Sequence, residues 1–116
     1  MKIIVAGSRH FTDYEFVKGK MDNLFLPHFK PEQIICGMCP GADLLGKRWA
    51  EENGIDVIEF PANFKLLGKA AGPVRNAQMA EYGDGLILFW NGKSKGSANM
   101  LKCMEILGKP TLKYRI

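Results

Sequence analysis

Lys2-Ile3-Ile4-Val5-Ala6-Gly7-Ser8-Arg9 is the stretch on which the fold turns. Residues 3–6 form an unbroken apolar run, as a strand covered on both faces of a parallel sheet requires. The run breaks straight into a glycine-bearing polar turn. The same arrangement returns twice. Ile34-Ile35-Cys36 leads into Gly37-Met38-Cys39-Pro40-Gly41-Ala42-Asp43, and Leu86-Ile87-Leu88-Phe89 leads into Asn91-Gly92-Lys93-Ser94-Lys95-Gly96-Ser97. In an open parallel α/β sheet such turns gather at the carboxyl edge, where ligands bind. Glycine lets the backbone come close to a ligand. The helix that follows aims its free N–H groups and positive dipole end at the same place. The pattern predicts an anion-binding crevice, most simply for a nucleotide or a phosphorylated sugar.

Working outward, the chain alternates strand and helix signals. Strands are expected at 2–6, 33–36, 55–60, 85–89 and 111–114. Asp13 can cap a helix reaching about Phe25, with Phe16, Met21, Leu24 and Phe25 as its apolar face. Pro27 and Pro31 punctuate the loop after it, and His28 reads as structural. A helix over about 42–53 carries Leu44, Leu45, Trp49 and Ala50, and Gly54 caps its end. Residues 61–72 read as a long loop. Pro73 suits the first turn of a helix to about Tyr82. Ser97 can cap a last helix to about Leu107. Five strands alternating with helices imply an α/β fold with a five-stranded, mostly parallel sheet and helices on both faces. The apolar run at 3–6 places strand 1 centrally, between strands 2 and 4.

At 116 residues, the chain is expected to be one domain over 1–116. No apolar run approaches the roughly 20 residues that cross a bilayer. The opening apolar stretch is too short for a signal peptide, so a cytoplasmic protein is expected. The net charge of +4 suits an anionic small molecule. Lys and Arg are spread without a dense run, which argues against nucleic acid as a partner. Cys36 and Cys39 form a C-x-x-C, but no second pair completes a zinc site. A core Cys36 followed by a loop Cys39 is the favoured reading. No metal and no cofactor are expected.

Each turn offers candidate ligand contacts. Gly7, Ser8 and Arg9 combine close approach, a hydroxyl and a planar cationic fork. Gly41 frames the second turn. Asp43, near a helix start, can either balance the helix dipole or accept bonds from ribose hydroxyls. Arg75 and Asn76 fall in the first turn expected after Pro73. A cation there opposes the dipole, which points to a ligand or carboxylate partner. Gly92, Gly96 and Ser97 lie among hydroxyls and two lysines ahead of a helix, as a phosphate cradle requires. Trp49 reads as core, and Trp90 can stack on a base.

Gly7-Ser8-Arg9, Pro40-Gly41-Ala42-Asp43, Trp49-Ala50, Phe60-Pro61-Ala62 and Gly68-Lys69-Ala70-Ala71-Gly72-Pro73 with Arg75-Asn76 and Met79 resemble the YspA-like (YpsA-related) branch of the SLOG superfamily. The resemblance implies a Rossmann-like three-layer fold and a nucleotide-type ligand. It also implies a homodimer, to which the apolar Phe64, Leu66 and Leu67 would contribute. SLOG proteins include phosphoribohydrolases, DprA-like proteins that bind single-stranded DNA, and sensors of nucleotide-derived signals. In the hydrolases a Pro-Gly-Gly-x-Gly-Thr loop precedes a glutamate. Gly92–Ser97 resembles a degenerate form of that loop, but Ala98-Asn99-Met100 follows it. The resemblance therefore favours a binding module over an N-glycosidase, with catalytic residues unassigned and any effector a separate protein.

Overall fold

A computed structural model describes residues 1–25 and 29–116. Its elements are β1 (Lys2–Gly7), α1 (Tyr14–Phe25), β2 (Gln33–Cys36), α2 (Ala42–Glu52), β3 (Asp56–Glu59), α3 (Phe64–Leu67), α4 (Ala71–Tyr82), β4 (Gly85–Trp90), α5 (Lys95–Ile106) and β5 (Thr111–Arg115). Pro27 and His28 lie outside the described residues.

The five strands form one sheet in the order β3-β2-β1-β4-β5, and every pairing is parallel. Strand β1 is central, between β2 and β4, as its unbroken apolar run requires. Ile4 and Val5 are fully buried, each contributing about 1.5–3 kcal/mol. Successive side chains on a strand face opposite ways, and the core divides accordingly. Ile3, Val5, Ile87 and Phe89 pack with Tyr14, Val17, Met21, Phe25 and Trp49 from α1 and α2. Ile4, Ala6, Leu86 and Leu88 pack with Met79, Ala80, Met100 and Met104 from α4 and α5. The result is a Rossmann-like α/β arrangement with helices on both faces. Strand order reverses at β1, so connections leave it and β4 in opposite directions and open a crevice between their carboxyl ends.

Three local expectations need correction. Leu24 is exposed, and Tyr14 and Val17 take its place on the buried face of α1. Residues 61–72 are not a plain loop. Asn63 accepts the N–H of Leu66 and starts α3, a 3-10 turn follows at Gly68–Ala70, and α4 begins at Ala71, two residues before Pro73. Proline is tolerated there because N–H groups of the first turn have no intrahelical acceptor. Arg75 and Asn76 consequently sit two residues deeper than expected, in the second turn. Finally, Ser94 rather than Ser97 caps α5, accepting the Ser97 N–H at 3.4 Å. Among the described residues no helix is long and apolar enough to cross a membrane.

Candidate functional site

An open cleft of about 480 Å³ lies at the carboxyl edge of the sheet. Gly7 and Arg9 reach it from the turn after β1, and Cys39 and Asp43 from the turn after β2. Gly72, Pro73, Arg75 and Asn76 come from α4, and Lys95, Gly96, Ser97 and Asn99 from α5. Four chain segments thus meet at the strand-order reversal.

A polar network ties these segments together. The buried Arg75 guanidinium donates from Nε to Asn76 Oδ1 at 2.9 Å, from Nη1 to the Gly37 carbonyl, and from Nη2 to Cys39 Sγ at 3.5 Å. Asn76 Nδ2 donates to Asn99 Oδ1 at 2.9 Å and to the Gly96 carbonyl at 3.4 Å. Gly37 leaves the room this needs. A Cβ there would lie 2.9 Å from both Arg75 Nη1 and Asp43 Oδ2. Arg75 is therefore first a brace between α4 and the β2 turn.

Asp43 sits at the floor, only 5% exposed. Its carboxylate accepts the backbone N–H groups of Gly7, Cys39 and Asp43 itself. Burial pushes its pKa up to about 6, and the Arg75 charge and those N–H bonds only partly offset this. The helix dipole alone argues for a lowered value; loss of water outweighs it.

The starts of α4 and α5 carry the opposite character. Helices α1 and α2 each hold an acidic residue in the first turn, Glu15 and Asp43, whereas α4 and α5 hold none. Lys69 and Lys95 stand there instead and line the cleft. Among the described residues the ion pairs are Met1–Glu32, Lys18–Asp22, Lys47–Glu59 and Arg48–Glu52, so Arg9, Lys69, Arg75 and Lys95 join none. Ser97, in the first turn of α5, is 4% exposed, and its Oγ has no hydrogen-bond partner. An unpaired buried hydroxyl costs about 1–3 kcal/mol.

The model of the YspA, cpYpsA-related SLOG family matches residues 1–66. The chain belongs to that family. A crystal structure of DNA processing protein A (DprA) from Streptococcus pneumoniae is similar at a TM-score of 0.78 and 18% identity, over 97% of this chain and 49% of that one. This chain spans about half the length of that protein, and the likeness is one of fold. No curated protein sequence matches it.

Not every residue proposed from the sequence of this SLOG chain faces the cleft. Ser8 is buried and accepts the Asn91 N–H at 3.2 Å, stitching the β1 turn to the β4 turn. It borders a second dish with His10, Phe11 and Arg115. Gly41 has φ 85° and serves packing: a Cβ there would lie 2.3 Å from the Ser8 carbonyl oxygen. Gly92 lies against the Arg115 guanidinium rather than in the cleft. Trp90 is tied by its indole N–H to the Ser94 carbonyl at 3.2 Å and packs on the α4–α5 core. Gly7, Arg9, Asp43, Arg75, Asn76, Gly96 and Ser97 do share the cleft. Phe64, Lys69, Gly72 and Asn99 also line it and were not read as site residues. Lys69 had a visible signal, since Lys69-x-x-Gly72 precedes Pro73 much as Lys93-x-x-Gly96 precedes Ser97. Among the described residues no cluster of His, Cys, Asp or Glu could hold a metal ion.

Proposed function

We propose that this SLOG chain binds a nucleotide or nucleotide-derived ligand in the cleft, with a phosphate at the start of α5. The observation that carries the reading is the buried, unpartnered Ser97 Oγ in a helix turn that has no acidic side chain. A phosphate oxygen there would satisfy the hydroxyl and free backbone N–H groups and meet the positive dipole end. Arg9 and Lys95 add cations. Asp43 would accept hydroxyls of the sugar from the floor. Gly7, Arg75 and Asn76 shape the walls, while Ser8, Gly41 and Gly92 act through the turns.

The test is a thermal-shift panel of nucleoside mono- and diphosphates, cyclic dinucleotides and ADP-ribose. Binding to the folded state raises Tm with ligand concentration. No shift from any nucleotide would remove the reading. A shift from a single-stranded oligonucleotide without one from mononucleotides would move it to nucleic acid.

One observation favours a second reading, nucleoside 5′-monophosphate hydrolysis at the N-glycosidic bond. Asp43, with a pKa near 6, can exchange a proton near neutral pH. Water would add at the anomeric carbon as the carbon–nitrogen bond breaks, and the base would leave protonated. Release of free base from AMP, abolished by Asp43→Asn, would establish this; AMP recovered intact keeps the binding reading.

The homodimer also remains a proposal. Phe64, Leu66 and Leu67 are exposed on and beside α3. Sedimentation equilibrium at high concentration should give twice 13.0 kDa, and a monomer would remove it.

A further inference from the structure

We infer that the base of the nucleotide stacks on the ring of Phe64, at the end of the cleft away from the phosphate. The inference rests on the nucleotide reading and assigns the base subsite that the reading leaves open.

Phe64 stands apart from the other phenylalanines. The chain has seven. Phe11, Phe16, Phe25, Phe29, Phe60 and Phe89 each pack against another aromatic ring, with centroids 5.4 to 6.3 Å apart. Among the described residues Phe64 has no such partner. Its side chain is 60% exposed, and it is the only aromatic residue among the described residues that line the cleft. An exposed ring of this size gains from a flat partner that covers its face. The backbone under it is fixed: Asn63 Oδ1 accepts the Leu66 N–H at 3.1 Å, and the Phe64 carbonyl accepts the Gly68 N–H. Leu66 and Leu67, on the same short helix, are exposed but do not line the cleft.

The order of groups along the sheet edge matches a nucleotide. Helix α3 follows β3, Asp43 follows β2, Gly7 and Arg9 follow β1, and Ser97 follows β4. The strands stand in that order, β3-β2-β1-β4. Helix α4 packs against both α3 and α5 and closes the cleft between them. With the phosphate at Ser97 and the sugar over Asp43, continuing in the same direction leads to Phe64. Gly72 lines the cleft as well, and a Cβ there would meet nothing within 4 Å, which leaves space for a ring.

Isothermal titration with AMP and ribose 5-phosphate tests this on the wild type, Phe64→Ala, Phe64→Trp and Leu66→Ala. The wild type should bind AMP at least about fivefold tighter than ribose 5-phosphate, as loss of one base–aromatic stack implies. Phe64→Ala should lower AMP affinity by a similar factor, Phe64→Trp should hold it within about twofold or raise it, and Leu66→Ala should leave it unchanged. Sedimentation of the wild type and Phe64→Ala accompanies the titrations. AMP affinity unchanged in Phe64→Ala, an equal loss in Leu66→Ala, or a loss that coincides with a dimer becoming a monomer would overturn the stacking inference and leave the nucleotide reading standing. Absence of AMP binding by the wild type would overturn both.

Discussion

The two ends of α4 are treated in opposite ways. At the carboxyl end, Lys109 Nζ donates to the carbonyls of Ala80, Glu81 and Gly83 at 2.7, 2.9 and 2.8 Å. The chain thus supplies its own cation for the negative end of the dipole. At the amino end, no acidic side chain stands in the first turn, and Lys69 stands nearby. One end is closed by a lysine side chain; the other is entered through the Gly68–Ala70 turn, with the Ala71 N–H on the Gly68 carbonyl, and borders the cleft. The carboxyl end faces the amino edge of the sheet; the amino end faces the strand-order reversal, where open sheets bind ligands. The same contrast separates Ser94 from Ser97: the first caps α5, and the second is buried without a partner.

The sharpest way to break this contrast is Arg75→Ala. If the guanidinium belongs to the fold, its loss strands the Gly37 carbonyl and removes the positive charge nearest the Asp43 carboxylate. Chemical denaturation should then show a loss of about 2–4 kcal/mol. Unchanged stability with binding alone lost would assign Arg75 to the ligand.

Asp43→Asn comes next. The folded protein holds the Asp43 proton up to about pH 6, whereas an unfolded aspartate releases it near its ordinary value. The native state therefore binds more protons in that window, and this contribution to stability is lost as pH rises through it. Relative to Asp43→Asn, the wild type should lose roughly 2–3 kcal/mol between about pH 4 and pH 6.5. A pH-independent difference between the two would show that Asp43 is not desolvated.

Lys109→Met probes the closed end. Partly exposed charged hydrogen bonds to three carbonyls should be worth about 1–2 kcal/mol. The loss should appear in denaturation curves, with nucleotide affinity unchanged within about twofold. A matching loss of affinity would mean that the two ends are not independent.

Ser97→Ala gives the smallest effect and the opposite sign. Removing a buried unpaired hydroxyl should leave the free protein equal or up to about 1 kcal/mol more stable, while ligand affinity falls. Destabilisation would mean that Ser97 Oγ already has a partner in the free protein.

Much of this architecture could be read from the chain. The apolar runs at 3–6 and 86–89 are buried on both sides, so they carry the sheet order with little help from context. Asp43, Arg9, Gly96 and Ser97 were readable because each follows a strand by a short turn. The segment from Phe64 to Ala70 was not, because α3 is four residues long and its apolar side chains are exposed. No periodic buried face exists there to detect. Ser8, Gly41 and Gly92 lie outside the cleft for a different reason. Polar and glycine residues in a turn serve turn-to-turn packing as readily as ligands, and only the Ser8–Asn91 bond and the contacts around Gly41 and Gly92 separate the two uses. Arg75 was singled out for its mismatch with the dipole, but the Gly37 carbonyl and Cys39 Sγ that occupy it are contributed 36 or more residues away.

Amide chemical-shift mapping with ADP addresses the ligand site in the cleft most directly. The largest perturbations should fall on the N–H groups of Gly96, Ser97 and Gly72, with smaller ones at Gly7 and Arg9 and none near Lys109. Perturbations centred instead on Phe11, Asn91 and Arg115 would put the ligand in the second dish and contradict the account.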